Sequence, residues 1–114
     1  MEFDSNRPIY LQIADAICEK ILSGEWKGED RIPSVREYGA QIGVNPNTVA
    51  RSYDVLTADG AIYNKRGIGF FVCPDAAVNI RRAEKARFLK EDMPAFVRRA
   101  GLLGISPEEL KKLF

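Results

Sequence analysis

The stretch GVNPNTVARSYDVL, residues 43–56, opens like an amphipathic helix, yet its first turn is crowded with polar side chains that no core would take. Asn45, Asn47, Thr48 and Arg51 offer amide, hydroxyl and guanidinium groups, which hydrogen-bond in fixed geometries. Nothing beside them completes a catalytic set. The chain has no histidine, no G-x-S-x-G elbow and no phosphate-cradling G-x-x-x-x-G-K-[ST] loop, so an enzyme reading lacks a group to carry it. Cys18 and Cys73 stand far apart in apolar surroundings and match no redox or metal spacing, which predicts buried, reduced thiols. Without histidine or a C-x-x-C pair, neither zinc nor another cofactor is expected. The chemistry on offer is recognition through hydrogen bonds.

Helices must hold those groups. From Pro8 to Leu22, Ile9, Ile13, Ile17, Ile21 and Leu22 recur at helical spacing, with Pro8 suited to a first turn, and the helix is expected to end near Ser23 and Gly24. The loop GEWKGED follows, with Trp26 as a core plug and Arg31-Ile32 as a short strand. Pro33 and Gly43 bracket a second helix whose Val35, Tyr38 and Ile42 face inward. Asn45 as N-cap and Pro46 at the first helical position start a third, with Val49, Tyr53 and Leu56 inward and Gly60 as its stop. Two helices across a short turn make a helix-turn-helix candidate. AIYNKRGIGFFV then predicts two strands, 61–64 and 70–73, around a Lys65-Arg66-Gly67-Ile68-Gly69 tip. The expected fold is mainly α with a small β-hairpin wing (α+β): a winged helix-turn-helix over residues 1–75, followed by a two-helix tail over 76–114.

The tail differs in charge as well as in pattern. Residues 1–75 hold 8 Lys and Arg against 11 Asp and Glu, a net −3, while residues 76–114 hold 9 against 5, a net +4. The basic side chains from Arg81 to Arg99 interleave with Glu84, Glu91 and Asp92 and read as a solvated face. Ile80, Ala83, Leu89, Met93, Phe96, Val97 and Ala100 form an apolar stripe, and Pro94 should kink or divide its helix near residues 90–93. ISPEELKKLF carries a start signal, with Ser106 as N-cap, Pro107 next, Glu109 at the third position, and Ile105 and Leu110 as a hydrophobic staple. So short a tail cannot bury its own stripe. Ile80, Leu89, Met93, Phe96, Val97, Leu110 and Leu113 are therefore expected at the interface of a homodimer. The N-terminus has neither the cationic nor the apolar region of a secretory signal, and no apolar run reaches membrane-spanning length, so a cytoplasmic protein without a membrane partner is expected.

The order of elements, together with PIYLQIADAI, SGEWKGEDRIPSVREYGAQIGVNPNTVARSYDVLTADGAI and KRGIGFFV, resembles the DNA-binding domain of GntR-type bacterial transcription regulators over about residues 7–73. The tail with LGISPEEL resembles the YtrA subgroup of small dimeric repressors, often of transporter operons. Its 39 residues are too few for the effector or aminotransferase-like domains of other subgroups. The resemblance implies a sequence-specific repressor that binds double-stranded DNA at a palindromic operator. It places Ser34 on a phosphate, through its hydroxyl or with help from the helix N-terminus, and Arg36 on a phosphate or a guanine edge. It puts Asn45, Asn47, Thr48 and Arg51 in the major groove, and Lys65, Arg66 and Gly67 in a wing tip against phosphates or the minor groove. Pro46 and Ala50 stand where many members carry arginine, and the loop KGED replaces the more usual KPGD. Two alternatives stay open. One is a winged helix used for protein–protein contact, and the other is an effector-gated regulator with a ligand site lined by Phe88, Met93 and Phe96.

Overall fold

Ser34 and Glu37 stand three apart before an apolar run, and this spacing starts the second helix. In the computed structural model, which describes residues 1–114, the Ser34 hydroxyl oxygen accepts from the Glu37 N–H. The Glu37 carboxylate accepts in return from the Ser34 N–H, both at 3.1 Å. Pro33, expected at the helix start, lies just before this cap. The elements run α1 (Ile9–Leu22), α2 (Val35–Ile42), α3 (Pro46–Ala58), β1 (Ile62–Lys65), β2 (Gly69–Val72), α4 (Ala76–Arg87), a π-helical turn (Phe88–Asp92), α5 (Met93–Leu102) and α6 (Pro107–Lys111). The strands are antiparallel, with Ile62 opposite Val72 and Lys65 opposite Gly69. Each sits one residue from its expected place, because Lys65 and Gly69 pair and leave only residues 66–68 as the turn.

Contacts divide the chain into Met1–Arg81 and Arg82–Phe114, a boundary later than the expected one after residue 75. The reason lies in the first turns of α4. Ala76 and Ile80 are buried in the core of the first unit, and the Asn79 side-chain amide donates to the Gly60 carbonyl at 2.9 Å. Ile80 was expected at a dimer interface; at 1% exposure it has no surface to offer a second copy.

The core of the first unit joins Ile13, Ile17 and Ile21 of α1, Tyr38 of α2, Val49, Tyr53 and Leu56 of α3, and Ile62 and Val72 of the wing. Trp26 is half-buried against it, its ring edge-on to Tyr38 at 5.8 Å. One buried residue was not legible in the apolar pattern. Ser52 is wholly buried and donates to the Tyr10 carbonyl at 2.7 Å, so a satisfied hydroxyl ties α3 to α1. Cys18 is buried and Cys73 half-buried, and no disulfide joins them. Burial also pushes the Cys73 thiol up from its ordinary value.

In the second unit, Pro94 has no N–H to give the helix and its ring crowds the preceding turn. The chain answers with the wider π turn, in which the Met93 N–H bonds back to the Phe88 carbonyl. The expected interruption near residues 90–93 therefore takes the form of a bulge. Gly104 turns the chain with φ +72°, and Ser106 caps α6 by accepting from the Glu109 N–H at 3.2 Å.

The turn between α2 and α3 depends on two glycines. Gly43 ends α2 at φ +72°. Gly39 lies within α2, and a Cβ there would meet the Val44 carbonyl oxygen at 2.6 Å. Replacing Gly39 with alanine gains helix propensity worth about 1 kcal/mol, but overpacking against backbone costs about 1–3 kcal/mol or more. Gly39→Ala is thus expected to lower the urea midpoint, with a net loss of up to about 2 kcal/mol. A midpoint at or above wild type would show that the turn yields freely.

Candidate nucleic-acid interface

The inner face of α3 fixes which of its side chains point out. Val49, Tyr53 and Leu56 are buried, which leaves Asn45, Asn47 and Arg51 exposed and Thr48 half-buried. Asn45 is the helix cap, as expected: its side-chain oxygen accepts from the Asn47 N–H at 2.8 Å. The Asn45 amide nitrogen remains a donor after capping, so the cap and an outward contact are compatible. Arg51 does not reach for Asp54, three residues on. Its guanidinium lies over the Tyr10 ring, 4.1 Å from the centroid.

Tyr53 holds this helix in place from below. Its hydroxyl donates to the Pro33 carbonyl at 2.7 Å, and its ring meets Phe70 of β2 edge-on at 4.9 Å. Burial raises the hydroxyl far above its ordinary value, so it stays a donor at any physiological pH. One buried side chain thus connects α3, the segment leading into α2, and the wing.

Ser34 and Arg36 are both exposed at the head of α2. The cap changes what Ser34 can offer, because its oxygen and the Glu37 N–H are already joined. Any phosphate contact there competes with the Glu37 carboxylate for the hydroxyl proton, and that carboxylate already occupies the helix N-terminus. Hydrogen bonds from the Ser34 backbone and then its hydroxyl hold the Glu37 carboxyl below its ordinary 4.5.

In the wing, Gly67 turns the tip with φ +80°, and Arg66 stands exposed beside it. Lys65 is exposed too, but its ammonium lies across Phe71, 4.8 Å from the ring centroid. Nothing in the sequence marks Arg31 as a wing residue. The expected Arg31-Ile32 strand is a single bridge to Phe71, and the Arg31 guanidinium donates to the Ile68 carbonyl at 2.9 Å, which pins the tip turn from the side. Nearby, the non-glycine Glu29 adopts φ +71°. Glu29 is the third residue of KGED, where the KPGD pattern has glycine, so the departure places a side chain in the conformation glycine adopts freely. The Glu29 carboxylate accepts from the Tyr63 hydroxyl at 2.8 Å, a contact that glycine could not make. Sequence spacing alone could not reveal either contact, since both partners lie more than thirty residues away.

Of the expected interface residues in the tail, Leu89, Phe96, Val97 and Leu113 are exposed large apolar side chains, and Met93 and Leu110 are half-buried. No cluster of three or more His, Cys, Asp or Glu side chains is placed to hold a metal. No helix is long and apolar enough to cross a membrane.

Three helices closed by a two-stranded wing, with the polar turn of α3 facing outward, define a winged helix-turn-helix DNA-binding domain. The chain belongs to the gntR family of bacterial regulatory proteins, which it matches over residues 9–72. It is 37% identical over 109 residues to the HTH-type transcriptional regulator YhcF of Bacillus subtilis, across 96% of this chain and 88% of that one. It is 35% identical over 106 residues to the HTH-type transcriptional repressor YtrA of the same organism, across 93% and 81%. A crystal structure from Bacteroides thetaiotaomicron, assigned to the GntR family, superposes with a TM-score of 0.78 at 52% identity, covering 92% of this chain and 91% of that chain. The AraR DNA-binding domain in complex with operator ORR3 superposes with a TM-score of 0.58 at 27% identity, covering 64% and 88%. The chain is a transcription regulator, not an enzyme.

The cap at Ser34 predicts an acid-dependent effect. A carboxyl lowered by folding stabilises the fold above its ordinary 4.5, and that contribution is lost as the pH falls through the lower folded value. Ser34→Ala is expected to cost about 1 kcal/mol at neutral pH and to make the thermal midpoint decline less steeply below pH 4.5. A variant curve parallel to wild type through the acid range would exclude the hydroxyl's share of the Glu37 contribution, since the bond from the residue 34 N–H survives the substitution.

Proposed function

We propose that two copies of this chain bind a palindromic operator in the cytoplasm and repress transcription by occupying a promoter. The observation that carries this reading is the outward display of Asn47 and Arg51 on a helix locked from beneath by Val49, Tyr53 and Leu56. Asn47 and Thr48 lie in the first turn of α3, the part of such a helix that meets base edges in the major groove. An asparagine amide pairs with adenine through one donor and one acceptor, and an arginine pairs with guanine through two donors. Arg66, Gly67 and Lys65 bring positive charge and an unobstructed backbone to phosphates or the minor groove, with Lys65 also bracing Phe71. Ser34 and Arg36 hold the backbone at the head of α2. The operator complex of AraR and the repressor name of YtrA support the same reading.

The second unit supplies the dimer. Leu89, Phe96, Val97, Leu102, Leu103 and Leu113 are each more than half exposed. An apolar surface of that kind marks an association site on a soluble chain. A two-fold pair would present its recognition helices to major grooves about 10 bp, or a multiple of it, apart.

Titration against wild-type-selected operator and against scrambled duplex, at several salt concentrations, separates the roles. Asn47→Ala is expected to weaken the operator complex by about 1–3 kcal/mol and leave scrambled DNA unchanged. Arg66→Ala is expected to weaken both and to reduce the salt slope by about one unit. Equal losses on both duplexes for Asn47→Ala would place it on the backbone and defeat the base-reading role. The dimer has its own measurement: Phe96→Glu introduces charge at an exposed site, so the fold should persist while sedimentation shifts to monomer and operator affinity falls. A variant dimer of wild-type strength would remove Phe96 from the interface.

A further inference from the structure

Arg51 is the only arginine within α3, and it is placed by something other than an acid. Its guanidinium sits 4.1 Å from the centroid of the Tyr10 ring, closer than the Lys65 and Lys20 ammonium groups approach their own rings, at 4.8 and 5.6 Å. The backbone that carries the ring is tied to α3. Tyr10 lies in the first turn of α1, and its carbonyl accepts the Ser52 hydroxyl at 2.7 Å. Ser52 follows Arg51 directly, so the bond that joins the two helices and the stack that orients the arginine are adjacent. The exposed carboxylate of Asp54, one turn away on the same helix, is left aside.

A guanidinium on an aromatic face spends that face and keeps its in-plane donors. A free arginine side chain samples many rotamers, and ordering them on binding is an entropic cost. We propose that Tyr10 is a specificity-determining positioning residue: its ring holds Arg51 flat, with the donor fork turned out, ready for the two acceptors on a guanine edge. This rests on the operator-reading role of α3 proposed above and adds a residue of α1 to it. Tyr10 touches no base in this account. It acts on DNA only through Arg51, so its effect on affinity vanishes when Arg51 is absent.

That coupling is the test. The probe is the duplex that the wild-type protein enriches from a randomised pool, with a scrambled duplex of the same length, both titrated by fluorescence anisotropy at one salt concentration. Arg51→Ala is expected to weaken operator binding by about tenfold or more and leave scrambled DNA near wild type. Tyr10→Met keeps apolar bulk against α3 without a π face; it should weaken the operator complex about fivefold, while Tyr10→Phe restores wild-type binding. The double variant should bind no worse than Arg51→Ala alone. Additive losses, or a Tyr10→Met loss shared equally by scrambled DNA, would overturn the positioning role while leaving Arg51 as a reader. An Arg51→Ala protein that binds the operator normally, or loses both duplexes alike, would defeat the base-reading role itself and the positioning role with it. A measurement free of variants stands beside these. The Arg51 side-chain protons of the DNA-free wild type must show upfield ring-current shifts in NMR spectra, and random-coil shifts would overturn the stack.

Discussion

Everything that α3 can present to a ligand is set by what it buries. A helix whose inner residues were free to roll would carry its asparagines through a range of directions, and no arrangement of donors would persist long enough to select a base. Tyr53 removes that freedom in two ways. Its ring fills the core against Phe70, and its hydroxyl ends on a backbone carbonyl outside α3. The second contact is directional, so it fixes rotation as well as depth. Ser52 adds a bond to α1 from the neighbouring position on the same inner face. Hydrophobic burial drives the helix into place, and these two hydroxyls determine how it lies there.

The wing follows the same logic on a smaller scale. A two-stranded hairpin is marginal by itself, and this one is supported along β2 by the segment 29–32. The Glu29 N–H donates to Val72, the Val72 N–H to Asp30, and the Ile32 N–H to Phe70, each at 2.9–3.0 Å. Arg31 then reaches past the strand to the tip carbonyl of Ile68. The left-handed turn at Glu29 is the local cost of bringing this segment into line, about 1 kcal/mol for a residue that is not glycine. The Tyr63 hydroxyl offsets part of it by bonding the Glu29 carboxylate.

How legible the molecule is from its sequence depends on how local each device is. Asn45 with Pro46, Gly43 after Ile42, and Ser106 with Glu109 are signals within one helical turn, and each appears where its spacing puts it. The Ser34 and Glu37 pair is equally local, and Pro33 just before it marks the entry to α2 without identifying the cap. Ser52 was hidden because a polar residue on an apolar face reads as exposed until its partner, forty-two residues away, is known. Ile80 fitted the helical period of the tail, and periodicity says that a face is apolar without saying what covers it. Arg31 and Tyr10 gain their roles only through partners brought near by the fold, which no pattern along the chain encodes.

Charge gives the last step. A net charge of +1 argues at first against a polyanion partner, because long-range steering scales with the summed field. Contact is decided more locally. Among the acids, Asp15 and Glu25 pair with Arg7 and Lys20, Glu37 caps α2, Glu29 accepts from Tyr63, and Asp30 and Asp75 accept from Lys27 and Asn79 in turns. Their charges persist, but their hydrogen-bonding oxygens are engaged in holding loops and helix ends. Arg36 and Arg66 are exposed without such duties, and Arg51 spends only its aromatic-facing surface. Exposed charges are screened beyond about 8–10 Å at physiological salt, so a ligand touching the head of α3 meets the nearby arginines more than the average of the chain. On the reading proposed above, selectivity falls to the few side chains that the core holds in register.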